Sequence, residues 1–168
     1  RQDRVVTKVG RFAPPGGAPL LDRAEEAGKA LRQFLDEHHF NANAVVVGVP
    51  ARWIIAQEKE LPPTDPTQAV AILRLQGERM SLGESGSLVV DFAGDLASSA
   101  ANPKVLLVGM LRTQIQRIQK LIDAAGLSLK AICPSALATS AMVGGDHSML
   151  HLAPDGAESV SYTHLTLP

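Results

Sequence analysis

Residues 104–142, KVLLVGMLRTQIQRIQKLIDAAGLSLKAICPSALATSAM, read as strand, helix, strand and helix in succession. Val105, Leu106, Leu107 and Val108 form a continuous apolar run, the pattern of a strand covered on both faces. Leu111, Ile115, Ile118, Ile122 and Ala125 then recur at helical spacing, with Arg112, Gln116, Gln119, Lys120 and Asp123 opposite them. Gly126 stands where a helix C-cap belongs. Residues 127–133 give a second strand, Pro134 breaks it, and Ser135 can cap a short helix over 136–142. A strand returning parallel to its predecessor through one helix is a crossover unit, so the expected class is α/β.

Composition agrees. The 168 residues are 45% hydrophobic and 20% charged, enough for one or two small domains with a core. Sixteen Lys and Arg against 17 Asp and Glu leave a net charge of −1, and aromatics are 4%, so neither phosphate-backbone attraction nor base stacking is provided for. Nucleic acid is not an expected partner. Cys133, the single cysteine, lies in an apolar strand and reads as a small core residue rather than a reactive thiol. One cysteine forms no intramolecular disulfide, and with no signal-peptide pattern at the start the expected setting is reducing and cytoplasmic. No apolar run approaches membrane-spanning length, so direct insertion is not expected.

Upstream the pattern continues. Residues 5–12 (VVTKVGRF) alternate as in a strand with one exposed face. The Pro14-Pro15-Gly16-Gly17 cluster is a loop, and Leu20, Ala24, Ala27, Leu31 and Phe34 form the stripe of a first helix with Asp22, Glu25 and Glu26 near its N-terminus. Residues 44–49 are a buried strand ended by Pro50, and 53–60 (WIIAQEKE) form the next. Asp65 is an N-cap, Pro66 takes the first helical position and Gln68 sits at the capping-box position of a helix reaching about Met80. Residues 83–86 turn the chain and 87–93 (SLVVDFA) form a strand. From residue 59 to 134 the order strand, helix, strand, strand, helix, strand is that of a ferredoxin-like subdomain.

Signatures of chemistry are sparse. There is no Walker-type loop, no Gly-x-Gly-x-x-Gly after a strand and no Gly-x-Ser-x-Gly elbow. His38 and His39 suit a helix end, and adjacent helical residues do not face one ligand. His147 and His151 are four apart in an expected strand and lack a third convergent ligand, so no metal site is expected. Asp91 ends a strand, where α/β proteins place functional carboxylates, yet it stands alone. No catalytic residue is assigned.

Residues 45–53 (VVVGVPARW) followed by Glu60-Leu61-Pro62 resemble a strand, small-Pro, strand, Leu-Pro segment of the actin-like pilus-assembly PilM family. Val105-Leu106-Leu107-Val108-Gly109-Met110, Ala125-Gly126-Leu127 and Pro134-Ser135-Ala136-Leu137-Ala138 resemble that family's later strand, helix, Gly-Leu, strand and helix. The likeness covers residues 5–159, and order and spacing carry it. FtsA-like and GspL-like proteins share the superfamily. The resemblance implies part of an actin/Hsp70/hexokinase-type fold: residues 1–58 in a 1A-like subdomain, 59–134 as an inserted 1C-like ferredoxin-like subdomain, and 135–159 as a return helix with the start of the next strand pair. Residues 160–168 read like the in-frame translation of a transposase-type sequencing adapter, which implies a gene fragment assembled from bulk reads.

Relatives of this family are cytoplasmic, bind ATP and hold the tail of a single-span inner-membrane pilus protein in a groove beside subdomains 1A and 1C. Their first phosphate loop would precede Arg1. The second would align its Asp-x-Gly with His151-Leu152-Ala153, where neither the Mg²⁺-positioning carboxylate nor the glycine that admits phosphate is present. No cofactor is therefore expected here, although ATP and Mg²⁺ belong to the full-length family. Two functions follow from the resemblance: a scaffold, peripheral to the inner membrane, that docks such a tail, or an ATP-binding enzyme whose phosphate loops lie outside this sequence. For the first, Pro50, Arg52 and Trp53 are the expected partner-binding residues, at the exit of the 1A-like strand.

Overall fold

Alternate placement of apolar and charged side chains makes the first helix amphipathic, and it forms as α1 (Ala24–Glu37), preceded by a turn in which Asp22 donates its N–H to Pro19. The structure is a computed structural model that describes residues 6–14, 16, 19–62, 64–80, 86–94, 96, 104–135, 148–153 and 156–161, the last two stretches as backbone. After α1 come β1 (Ala44–Val49), a 3-10 turn (Ala51–Trp53), β2 (Ile54–Glu60), α2 (Pro66–Met80), β3 (Leu88–Ala93), β4 (Lys104–Leu111), α3 (Arg112–Ala124), β5 (Ser128–Pro134), β6 (Ser148–Ala153) and β7 (Gly156–Ser161). They divide into one unit of Arg1–Val49 with Thr113–Met142 and another of Pro50–Arg112 with Val143–Pro168.

In the first unit β1 and β5 pair in parallel, Ala44 opposite Ser128 and Val49 opposite Pro134. Val45, Val47 and Val49 are the less exposed face of β1, whereas Val46 is 58% exposed. Ala24, Ala27 and Gly28 are the buried positions of helix α1, Ile118, Leu121 and Ile122 are those of helix α3, and the two helices meet at Gly28. Gly28 lets them touch: a Cβ there would stand 2.3 Å from the Leu121 carbonyl oxygen and 2.7 Å from Ala124 Cβ. Arg117 on α3 pairs with Asp22 in the turn before α1 at 3.3 Å, and Lys120 pairs with Glu25 across the two helices at 2.9 Å. The Lys120 hydrogen bond holds the Glu25 carboxyl below its ordinary value, so this exposed pair contributes above that value and fades as the pH falls through the lowered one.

The C-terminal ends of these helices are closed as the residue types dictate. Gly126 takes φ +68°, donating to Asp123 at 2.9 Å while Leu127 donates to Ile122 at 3.1 Å, a Schellman ending of α3. At the end of α1, Lys8 Nζ donates to the carbonyl oxygens of His38 and His39, and Phe34 stacks with His38 and Phe40 and meets Phe12 at a tilt. The cation thus meets the carbonyl end of the helix dipole.

The second unit places β2, β4 and β3 in one antiparallel sheet with β4 central. Ile54 faces Met110, and Leu88 faces Leu111. Val105 and Leu107 point to the face covered by α2, where they join Leu61, Ala69, Leu73 and Met80 in the core, with Leu88, Val90 and Phe92 packed against it. Asp65 Oδ1 accepts the N–H of Thr67 (2.9 Å) and Gln68 (3.0 Å), the N-cap the sequence predicts. Strands β6 and β7 form an antiparallel hairpin.

The class is α/β as expected, with corrections in its connections. Strand β5 does not return beside β4: it pairs with β1, so the crossover unit is β1, an insertion, α3 and β5. Sequence neighbours pair only about two-thirds of the time. The grouping of 59–134 as one ferredoxin-like subdomain therefore splits. Its β-α-β-β portion forms the inserted sheet, while α3 and β5 belong to the other unit, and the unit boundary falls at Pro50 rather than 59. Residues 6–12 form no strand, and Val9 is 84% exposed, because no described strand lies beside them. Three sheets occur among the described residues, and β1, expected to be buried, keeps one face open, as does β5. The expected helix over 136–142 lies outside the described residues, as do residues 162–168 of the tail.

Gly28→Ala is expected to lower the unfolding free energy by a net ~1–3 kcal/mol, since displacing backbone outweighs the roughly 1 kcal/mol helix-propensity gain. Urea unfolding followed by circular dichroism reads this as a lower midpoint. An unchanged midpoint would mean that α1 and α3 do not cross at Gly28.

Candidate functional site

Pro50 cannot donate to a ladder, so β1 ends there, and the chain must turn before it can begin β2. Pro50 is extended (φ −65°, ψ 147°), Trp53 donates its N–H back to the Pro50 carbonyl at 3.0 Å, and Ile54 resumes extended geometry at φ −122° and ψ 137°. The three expected partner-binding residues share this single turn. Arg52 is exposed, while Pro50 and Trp53 are half-buried. The turn is the first chain crossing from one unit to the other.

Sequence reasoning missed a cavity of about 430 Å³ between α2 and β3. Leu73, Val90 and Leu107 supply apolar lining, and Arg74 and Glu78 on α2 are the charged groups on the helix side. A signal existed in Gly77, a helix-interior glycine: a Cβ there would stand 2.8 Å from Val90 Cγ1, so it marks a close approach of α2 to β3.

Asp91 has a local duty. Arg112 donates its N–H to the Ser87 carbonyl at 2.9 Å, and alternation of antiparallel pairs then turns the backbone groups of Leu88, Val90 and Phe92 away from β4. Asp91 Oδ1 accepts the Phe92 N–H at 2.8 Å, occupying one donor of that edge. His38 Nδ1 lies 2.9 Å from the Phe34 carbonyl oxygen, the helix-end role expected of it, and His39 takes φ 53°. His151 lies in β6 opposite Glu158, and His147 lies outside the described residues. Among the described residues no three His, Cys, Asp or Glu are grouped to hold a metal ion, and no helix is long and apolar enough to cross a membrane.

Cys133 is half-buried on β5, and burial pushes its thiol above the ordinary value of 9.0. The thiolate is therefore scarce near neutrality. Alkylation by iodoacetamide at about pH 8 is expected to run several-fold slower than for a small free thiol and to accelerate with rising pH. Mass spectrometry over time measures it, and labelling as fast as the free thiol at pH 8 would contradict the burial.

No protein-family model and no curated protein matches the chain. Solved structures do share its fold. The PilM-PilN type IV pilus biogenesis complex superposes with a TM-score of 0.66 at 16% identity, over 83% of this chain and 45% of that one. The cytoplasmic domain of EpsL, an inner membrane component of the type II secretion system of Vibrio cholerae, superposes with a TM-score of 0.53 at 18% identity, over 82% of this chain and 56% of that one. The chain spans about half the length of these neighbours. The fold is the actin-like α/β type that the PilM resemblance implies.

Proposed function

We propose that this chain is part of a scaffold in type IV pilus or related secretion assembly, docking the cytoplasmic tail of a single-span inner-membrane protein. The observation that carries the reading is the shared fold with a PilM-PilN complex, a protein of this architecture captured with a partner. The likeness to the cytoplasmic domain of an inner membrane secretion component supports a setting at the membrane surface. Pro50, Arg52 and Trp53 are the proposed contact residues. A turn that is stiffened by proline, and that offers an arginine and a partly accessible indole, has the side-chain types that dominate interface hot spots. Nucleotide is no part of the proposed role, because the PilM resemblance would align the Asp and Gly of the family's second phosphate loop with His151 and Ala153.

Two measurements test the reading. Arg52→Glu is expected to weaken a synthetic tail peptide by about 30-fold, from a hot-spot loss of about 2 kcal/mol, while thermal stability stays nearly unchanged. A tail complex that tolerates the reversal, or a variant that unfolds, removes this turn from the interface. Isothermal titration of the 168-residue chain with Mg-ATP should give no micromolar binding. Clear micromolar affinity would instead favour an ATP-binding enzyme.

A further inference from the structure

On the side of α2 away from β3, a second cavity of about 310 Å³ opens between the helix and the edge strand β2. Its lining is Gln57 and Lys59 from β2 with Gln76, Arg79 and Met80 from α2. The set holds two cations and two amides and no carboxylate. Strand alternation explains the exclusion: Glu58 and Glu60 project from the other face of the sheet, where Lys104 meets them at 2.8 and 4.0 Å. Glu78 turns to the cavity on the β3 side. Among the described residues neither Lys59 nor Arg79 has an ion-pair partner.

A further observation points to a missing ligand. The side-chain oxygen of Gln76 is buried without a hydrogen-bond partner. A buried polar atom left unpaired is rare. Rotating the amide by half a turn places its NH₂ group there instead, and that donor then needs an acceptor.

We propose that this cavity is an oxyanion site for a phosphate group. Arg79 supplies a planar fork of donors, Lys59 a compact ammonium, and Gln57 and Gln76 neutral amide donors; a phosphate oxygen can accept from each. Arg79 lies in the last turn of α2, where a cation also offsets the helix dipole, but that duty explains neither Lys59 on the neighbouring strand nor the paired amides. The carbonyl end of α2 opposes an anion. Side chains rather than backbone N–H groups therefore hold it, and binding is in the millimolar range.

The test titrates inorganic phosphate against chloride at constant ionic strength, following backbone amide shifts in the isotopically labelled chain. A parallel arm sediments the protein with phosphatidylcholine vesicles containing phosphatidic acid. Saturable shifts confined to residues 57–59 and 76–80 are expected. Lys59→Gln at a half-buried position and Arg79→Gln at an exposed one should each weaken binding at least tenfold, while Arg74→Gln on the other side of α2 changes it less than twofold. Loss of phosphate binding in these variants identifies a soluble phosphate ligand. Loss of vesicle binding alone identifies a lipid headgroup. Shifts no larger than those with chloride together with no vesicle binding, or binding that survives both substitutions, would overturn the site. The outcome is independent of Arg52, so it stands or falls apart from tail docking.

Discussion

Parallel pairing of β1 with β5 is the constraint from which the remaining arrangement follows. Parallel strands cannot be joined by a tight turn, and here the connection carries an entire folded sheet before α3 completes the crossover. Such an insertion is tolerable only if its ends lie close together. The register provides this: Ile54, at the start of the insertion, faces Met110 near its end across the β2–β4 ladder. An ordered sheet with adjacent ends closes the loop at far less entropy than a flexible chain of the same length. The proline turn at 50–53 and the β4-to-α3 junction are thus two ends of one closure.

Within each unit, shape matters more than surface charge. The ion pairs that α3 makes with α1 and the turn before it are more than half exposed and contribute at most modestly to stability. They favour one alignment of the helices. The approach itself depends on Gly28, as that of α2 to β3 depends on Gly77. In the inserted unit α2 covers one face of the sheet, and its capping by Asp65 fixes where that helix begins relative to Leu61 and Leu73 in the core.

Local rules in the sequence were read accurately where the interaction is local. The Asp65 cap, the Gly126 ending and the apolar run of β4 each depend on neighbours a few positions away. Pairing across long separations was not legible. Adjacency suggested that β5 joins β4, whereas the register sends it to β1. Residues 5–12 carry strand alternation without a described partner, which a pattern confined to one segment cannot reveal. The Pro50–Trp53 turn could be located because proline ends a ladder. The cavities beside α2 could not, since the lining residues of each come from distant segments and only the fold brings them together.

The order in which these partners are synthesised has a consequence for folding in the cell. Ala44 waits for Ser128, more than eighty positions downstream, whereas β2, α2, β3 and β4 complete their sheet without β5. Non-local pairings form late, and domains tend to fold as units as the chain emerges. The inserted sheet can therefore mature on the ribosome while the valine-rich β1 still lacks its partner. During that interval β1 is a β-branched, uncharged segment of the kind that associates with other chains. Translational pauses or chaperone occupancy before β5 emerges would then govern yield more than the final stability does.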